Sequence, residues 1–216
     1  MMTKNNRHAA APAISEDLTL GFRARLPRAM GNAFCPPLLP HEDQDAFWAT
    51  CEAICAPHVG DAIALLLSWD IAVLSWKISR VRRAEAAWIW QVQVSLLETA
   101  LARAMVNRDA CPDRADRRAK RLVERWRRQE ERASEDVERL LREVDISFDY
   151  LQGQAIIQEM DELERLEAQV SQLENRRNAT LRTMARWSAP VAADVRHRSD
   201  NIIIDNPGAV YLKRPK

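Results

Sequence analysis

From Asp61 to Trp187 the chain carries one proline, Pro112, and one glycine, Gly153. An all-β or mixed fold needs turn residues at short, regular intervals, and this stretch lacks them. The segment therefore reads as long helices, and the fold class as all-α: a short N-terminal helix plus three long amphipathic helices. They are expected to form an elongated bundle or coiled-coil-like hairpin with flexible termini.

Hydrophobic periodicity sets the expected bounds. Residues 1–40 hold Pro12, Pro27, Pro36, Pro37 and Pro40 with scattered arginines and read as a flexible basic arm. Residues 41–187 read as one helical domain. A first helix over 41–56 opens on Glu42, Asp43 and Asp45, acids that favour a helix N-terminus, and closes at Pro57 and Gly60. A second over 61–108, capped by Asp61, carries Leu67, Ile71, Leu74, Ile78 and Val81 at spacings of four and three. Its first half is apolar on several faces and must be surrounded.

A third helix over 114–144, capped by Asp113, follows a break at Asn107, Asp109, Cys111 and Pro112. It shows a narrow seam of Ala115, Ala119, Leu122, Trp126, Ala133, Val137, Leu140 and Val144, with one gap at Gln129 and Glu130. Apolar residues on so narrow a stripe, flanked by charge, are the seam of a coiled coil or helical hairpin. After a turn or kink around 145–153, a fourth helix over 156–187 carries Ile156, Met160, Leu163, Leu166, Val170, Leu173, Leu181 and Met184. Ser188, Ala189 and Pro190 end it. Residues 188–216 read as an extended or disordered tail with one β-prone run, Ile202 to Ile204.

Total charge is uninformative: 32 basic residues against 31 acidic ones. Its distribution is not. Residues 114–128 hold eight basic side chains and two acidic ones, whereas 129–145 hold three and seven. Arg114, Arg118, Arg121, Arg125 and Arg128 repeat at four, three, four, three and so form a ridge along one helix face. Arginines in such a row can follow a phosphate backbone. The competing reading is that their stems cover the seam while their heads meet acids of a neighbouring helix, supplied through hairpin packing or antiparallel self-association by the second half of this same helix and by Asp161, Glu162, Glu164 and Glu167 of the next.

Lys4 and Arg7 are not followed by the apolar run of a signal peptide, so a cytoplasmic protein with reduced thiols is expected. Ala62 to Trp76 is the most apolar stretch, but it is shorter than the ~20 residues of a bilayer span and has Asp70 near its middle. It reads as a buried helix, and no membrane partner is expected. Asp70 itself reads as a carboxylate paired with an arginine from another helix. Cys51 and Cys55 share a helix face, with Cys35, His41 and His58 nearby in sequence. Their spacing fits no zinc finger, and they read as core cysteines. Trp88 and Trp90 point in different directions on a helix and cannot make one stacking platform. No phosphate-cradling loop, dinucleotide fingerprint or nucleophile elbow is present.

Three stretches, Leu39-Pro40-His41-Glu42-Asp43, Trp76-Lys77-Ile78-Ser79-Arg80-Val81-Arg82-Arg83-Ala84-Glu85 and Leu163-Glu164-Arg165-Leu166-Glu167, resemble a family of uncharacterised bacterial helical proteins found with mobile elements and sometimes labelled transposase. The resemblance runs over about residues 28 to 187. His41 stands where those relatives carry glycine. Arg28-Ala29-Met30-Gly31 takes the place of their Lys-His-Gly-Leu element. The resemblance implies a mobile-element context and no established activity; neither an acidic triad nor a tyrosine nucleophile is recognisable.

The expectation is thus a non-enzymatic interaction or scaffold protein without cofactor or metal. It would self-associate or dock a helical partner through helices 114–144 and 156–184, with Trp126, Leu140, Leu163 and Leu173 as anchors. The alternative is a nucleic-acid-binding accessory protein of a bacterial mobile element that uses the arginine ridge.

Overall fold

A computed structural model describes Leu26, residues 34–106 and residues 111–205. Within the described residues the fold is all-α, with no strand: α1 (Gln44–Cys55), a 3-10 turn (Ala56–His58), α2 (Ala62–Val106), α3 (Pro112–Arg127), α4 (Glu131–Glu143), α5 (Phe148–Gln158), α6 (Met160–Trp187) and α7 (Ala189–Asp205). Most of the expected basic arm, the residues 107–110 of the expected break and the end of the tail from 206 onward lie outside the described residues.

Among the described residues seven helices stand where four were expected, and each extra boundary has a local cause. The expected helix 114–144 is two helices, α3 and α4. The gap in the seam at Gln129 and Glu130 is a turn: Gln129 takes the left-handed conformation, φ 61°. Its N–H reaches the Trp126 carbonyl at 2.8 Å and the Glu130 N–H reaches the Arg125 carbonyl at 3.3 Å. This paired pattern closes a helix C-terminus. Asp145, φ 55°, ends α4 the same way, with the Ile146 N–H on the Leu141 carbonyl at 3.0 Å. Ser147 then caps α5 by accepting from the Tyr150 N–H at 3.1 Å, so helix resumes at Phe148, earlier than 156. Glycine usually marks such stops, and its absence hid the one at Gln129; the stop at Asp145 falls where the expected turn around 145–153 begins.

Other boundaries follow from caps. Asp43 Oδ1 accepts from the N–H groups of Asp45 and Ala46 at 2.9 and 3.0 Å and starts α1. Asp61 Oδ1 does the same for Ile63 and Ala64 at 2.9 Å and starts α2. In α3 the first residue is Pro112, whose missing N–H costs nothing at that position; Asp113 sits inside the first turn and is not the cap. Ser188 interrupts α6, but Pro190 is tolerated in the first turn of a new helix. Residues 189–205 are therefore helical, where an extended tail was expected. Ala192, Val195, Ser199 and Ile203 are its buried residues, a helical period that the β-branched run 202–204 obscured.

The contacts divide the chain into two compact units, where one helical domain over 41–187 was expected. The first takes the described residues up to Trp76 together with Asn175–Ile203. An aromatic cluster forms its core: Phe34, Phe47, Trp48, Trp69 and Trp76, with Leu65, Ile71, Leu181, Met184 and Val195 around it. Phe47 meets Trp69 and Trp76 edge-on, with centroids 5.8 and 5.5 Å apart, a favoured aromatic geometry. Trp76 Nε1 donates to Glu42 Oε1 at 3.2 Å. Arg177, buried on α6, binds Asp200 Oδ1 of α7 at 2.9 Å.

The second unit is built from Lys77–Glu174. Its core joins Val94, Leu97 and Leu101 of α2 to Leu122, Val123 and Trp126 of α3, Val137, Leu140 and Leu141 of α4, and Leu151 of α5. The Trp126 ring stacks on Trp90, centroids 5.5 Å apart, and on Phe148 at 5.6 Å. The seam read from the sequence has thus found its partner inside the chain, on the second half of α2.

Candidate functional site

In the second unit, α3 and α4 pack as a hairpin turning at Gln129 and Glu130. The seam residues of both helices point into the core, so the residues beside the seam are left outside. All five ridge arginines, Arg114, Arg118, Arg121, Arg125 and Arg128, are exposed. Of the acids expected to meet them, Asp161, Glu164 and Glu167 of α6 are themselves exposed and Glu162 pairs with Arg165 on its own helix, whereas the second half of the expected helix supplies Glu130 to Arg125 and sets Asp136 beside Arg118, Arg121 and Arg125. Arg125 Nε meets Glu130 Oε2 at 2.8 Å and Arg128 Nη2 meets Glu124 Oε1 at 3.0 Å. Both pairs are solvent-exposed and weak, of order 0–1 kcal/mol, so an incoming polyanion can displace them.

Arg118, Arg121 and Arg125 form one wall of a groove of about 420 Å³. Asp136 and Arg139 of α4 stand with them, and Met105, Leu122 and Leu140 complete the lining. Four guanidinium groups thus face one carboxylate, and that carboxylate is bound to Arg139. Arg121 has no ion-pair partner among the described residues. The groove is cationic at its mouth and apolar where Met105, Leu122 and Leu140 contribute.

Sequence reasoning missed Arg139, Asp136 and Met105 as members of this site. The signal existed in the gap of the seam. An antiparallel hairpin turning there sets Trp126 level with Ala133, Leu122 with Val137 and Ala119 with Leu140, which carries Arg139 to the ridge.

Three of the four expected interface anchors are buried within the chain. Trp126 and Leu140 are buried in the core of their own unit, at 6 % and 3 % exposure. Their cover is α2. Leu163 is also buried, and Leu173 is half-buried. Exposed apolar side chains lie instead on α5 and at the start of α6: Tyr150, Ile156, Ile157 and Met160. Trp88 is exposed and donates through Nε1 to Glu159 Oε2 at 2.9 Å, whereas Trp90 stacks on Trp126; the two indoles do not share a face.

The remaining candidates lie in the first unit. Cys51 and Cys55 are fully buried free thiols, and burial pushes both pKa values far up, so they pack as neutral side chains. No group of three or more His, Cys, Asp or Glu side chains is placed to hold a metal among the described residues. His58 is buried, with Nε2 lacking a hydrogen bond and lying 3.7 Å from Asp194 Oδ2. Burial holds its pKa below the usual imidazole value, and Arg198 adds to this against the opposing pull of Asp194 and Asp61. Asp70 is exposed rather than buried; its pKa is raised by the apolar surface around it, which the Arg176 charge partly offsets. Among the described helices α2 alone is long and apolar enough to cross a membrane, and 61 % of its most apolar window is buried, as in the core helix of a bundle.

Compared with family models, curated proteins and solved structures, the chain matches none of them.

Proposed function

We propose that this chain is a non-enzymatic, cytoplasmic helical protein that binds the phosphate backbone of nucleic acid through the arginine face of α3, as an accessory protein in a mobile-element setting. One observation carries the reading: the seam beneath the ridge is covered by the chain's own α2, while all five ridge arginines stay exposed. A ridge over residues 114–128 is about 21 Å long at the helical rise, enough to meet several phosphates in succession. Arginine suits this task because its planar fork bonds phosphate oxygens in pairs. A gel or filter assay at low salt tests it. Arg118→Glu, Arg121→Glu and Arg125→Glu together should abolish binding while the far-ultraviolet circular dichroism stays unchanged; full binding by that variant overturns the proposal.

A second reading, self-association or docking of a helical partner, is favoured by the exposed Ile156, Ile157 and Met160. It places the contact on α5 and the start of α6 rather than on Trp126 and Leu140. Sedimentation at several concentrations with Ile157→Asp tests the self-association, since a strictly monomeric wild-type chain removes it.

A further inference from the structure

Resting on the phosphate-binding reading above, we infer that the groove of Arg118, Arg121, Arg125 and Arg139 takes single-stranded nucleic acid and seats an unstacked base against Met105. The groove has two chemistries, and a duplex can use only one of them. A duplex presents phosphates on its outside and keeps its bases stacked, so it reaches the arginines and leaves the partly exposed Met105 of the lining unused. A single strand can turn a base outward while its flanking phosphates bind the guanidinium groups. At about 420 Å³ the groove falls within the usual size range of small-ligand sites.

The charge balance agrees. Arg125 is partly neutralised by Glu130, and Arg139 by Asp136 and Glu143; Arg121 carries its charge without an ion-pair partner among the described residues. One guanidinium is therefore free to take the first phosphate. Arg125 and Arg139 are exposed, and an arginine guanidinium can stack on a base in single-strand sites. Met105 is half-buried near the end of α2, and its flexible thioether conforms to whatever base is present. Recognition is then tolerant of sequence and selective for strand state.

The test uses the full chain, fluorescence anisotropy and two probes: a labelled mixed-sequence single strand and the same strand annealed to its complement. Wild type should bind the single strand at least tenfold more tightly than the duplex. Met105→Gln, which keeps the length of the side chain but not its apolar character, should weaken single-strand binding about tenfold, a typical effect of losing one base contact, and leave duplex binding unchanged. Equal affinity for the two probes overturns this inference, as does a Met105→Gln loss shared equally between them; both outcomes leave the phosphate-binding reading standing. Absence of binding to either probe at low salt overturns that reading and this inference together.

Discussion

Replacing Trp126 with alanine separates a core residue from an interface residue. The side chain is 6 % exposed and lies between the Trp90 and Phe148 rings at 5.5 and 5.6 Å. Truncation removes an aromatic buried area of about 150–250 Å², and large-to-small changes of this kind cost about 3–5 kcal/mol once the cavity is counted. That is a large part of the stability of a unit of this size. With a urea slope of about 2 kcal/mol/M, the midpoint should fall by about 1.5–2.5 M. Far-ultraviolet circular dichroism is the suitable probe, because the chain has seven tryptophans and its fluorescence mixes both units. The two units can melt separately, so the shift should appear in one transition. It should also be independent of protein concentration. A loss below about 1 kcal/mol, or a wild-type midpoint that rises with concentration while Trp126→Ala stays folded, would show that Trp126 meets a second molecule and that the core assignment is mistaken.

Acid should weaken the first unit through His58. Its folded pKa lies below the unfolded value of about 6.5, so on acidification the unfolded chain takes up a proton that the folded one refuses. Stability therefore falls as pH drops below about 6.5 until the folded pKa is passed. His58→Gln should flatten the thermal midpoint over that window; an unchanged slope refutes the assignment. Ellman's reagent should titrate Cys35 and Cys111 quickly in the native protein and the buried Cys51 and Cys55 only after denaturation; four fast thiols would contradict the first core. Gln129→Gly should raise the stability of the α3–α4 hairpin by about 0.5–1 kcal/mol, since glycine adopts φ 61° without the Cβ penalty, and a lower urea midpoint would count against the turn.

The helical class was legible because breakers are few and Leu67, Ile71, Leu74 and Ile78 keep a helical period. Caps that work through their own side chains, such as Asp61, could also be read directly. The stop at Gln129 could not: it depends on a left-handed residue that is not glycine, and tertiary packing selects it, whereas the end near Asp145 was legible from the loosening of the seam. The tail was misread because the β-branching of Ile202 to Ile204 outweighed the period of Ala192, Val195, Ser199 and Ile203, which only a neighbouring core makes decisive. Of the site, the ridge itself was legible from the spacing of its arginines. Whether the ridge or the seam faced solvent depended on where Trp126 found its partner. That partner, Trp90, lies on α2, beyond the reach of any local pattern. Arg139 and Met105 joined the groove through the same fold-back.

Counting the charges that meet phosphate tests the central claim most directly. The logarithm of the binding constant should fall linearly with the logarithm of salt concentration, with a slope set by the number of neutralised phosphates, about 0.7 per contact for a single strand. Changing Arg118, Arg121 and Arg125 to glutamine together should reduce that slope by about 2 and leave the helical content intact. A slope unchanged by the triple substitution would mean that the arginine face of α3 does not touch the nucleic acid.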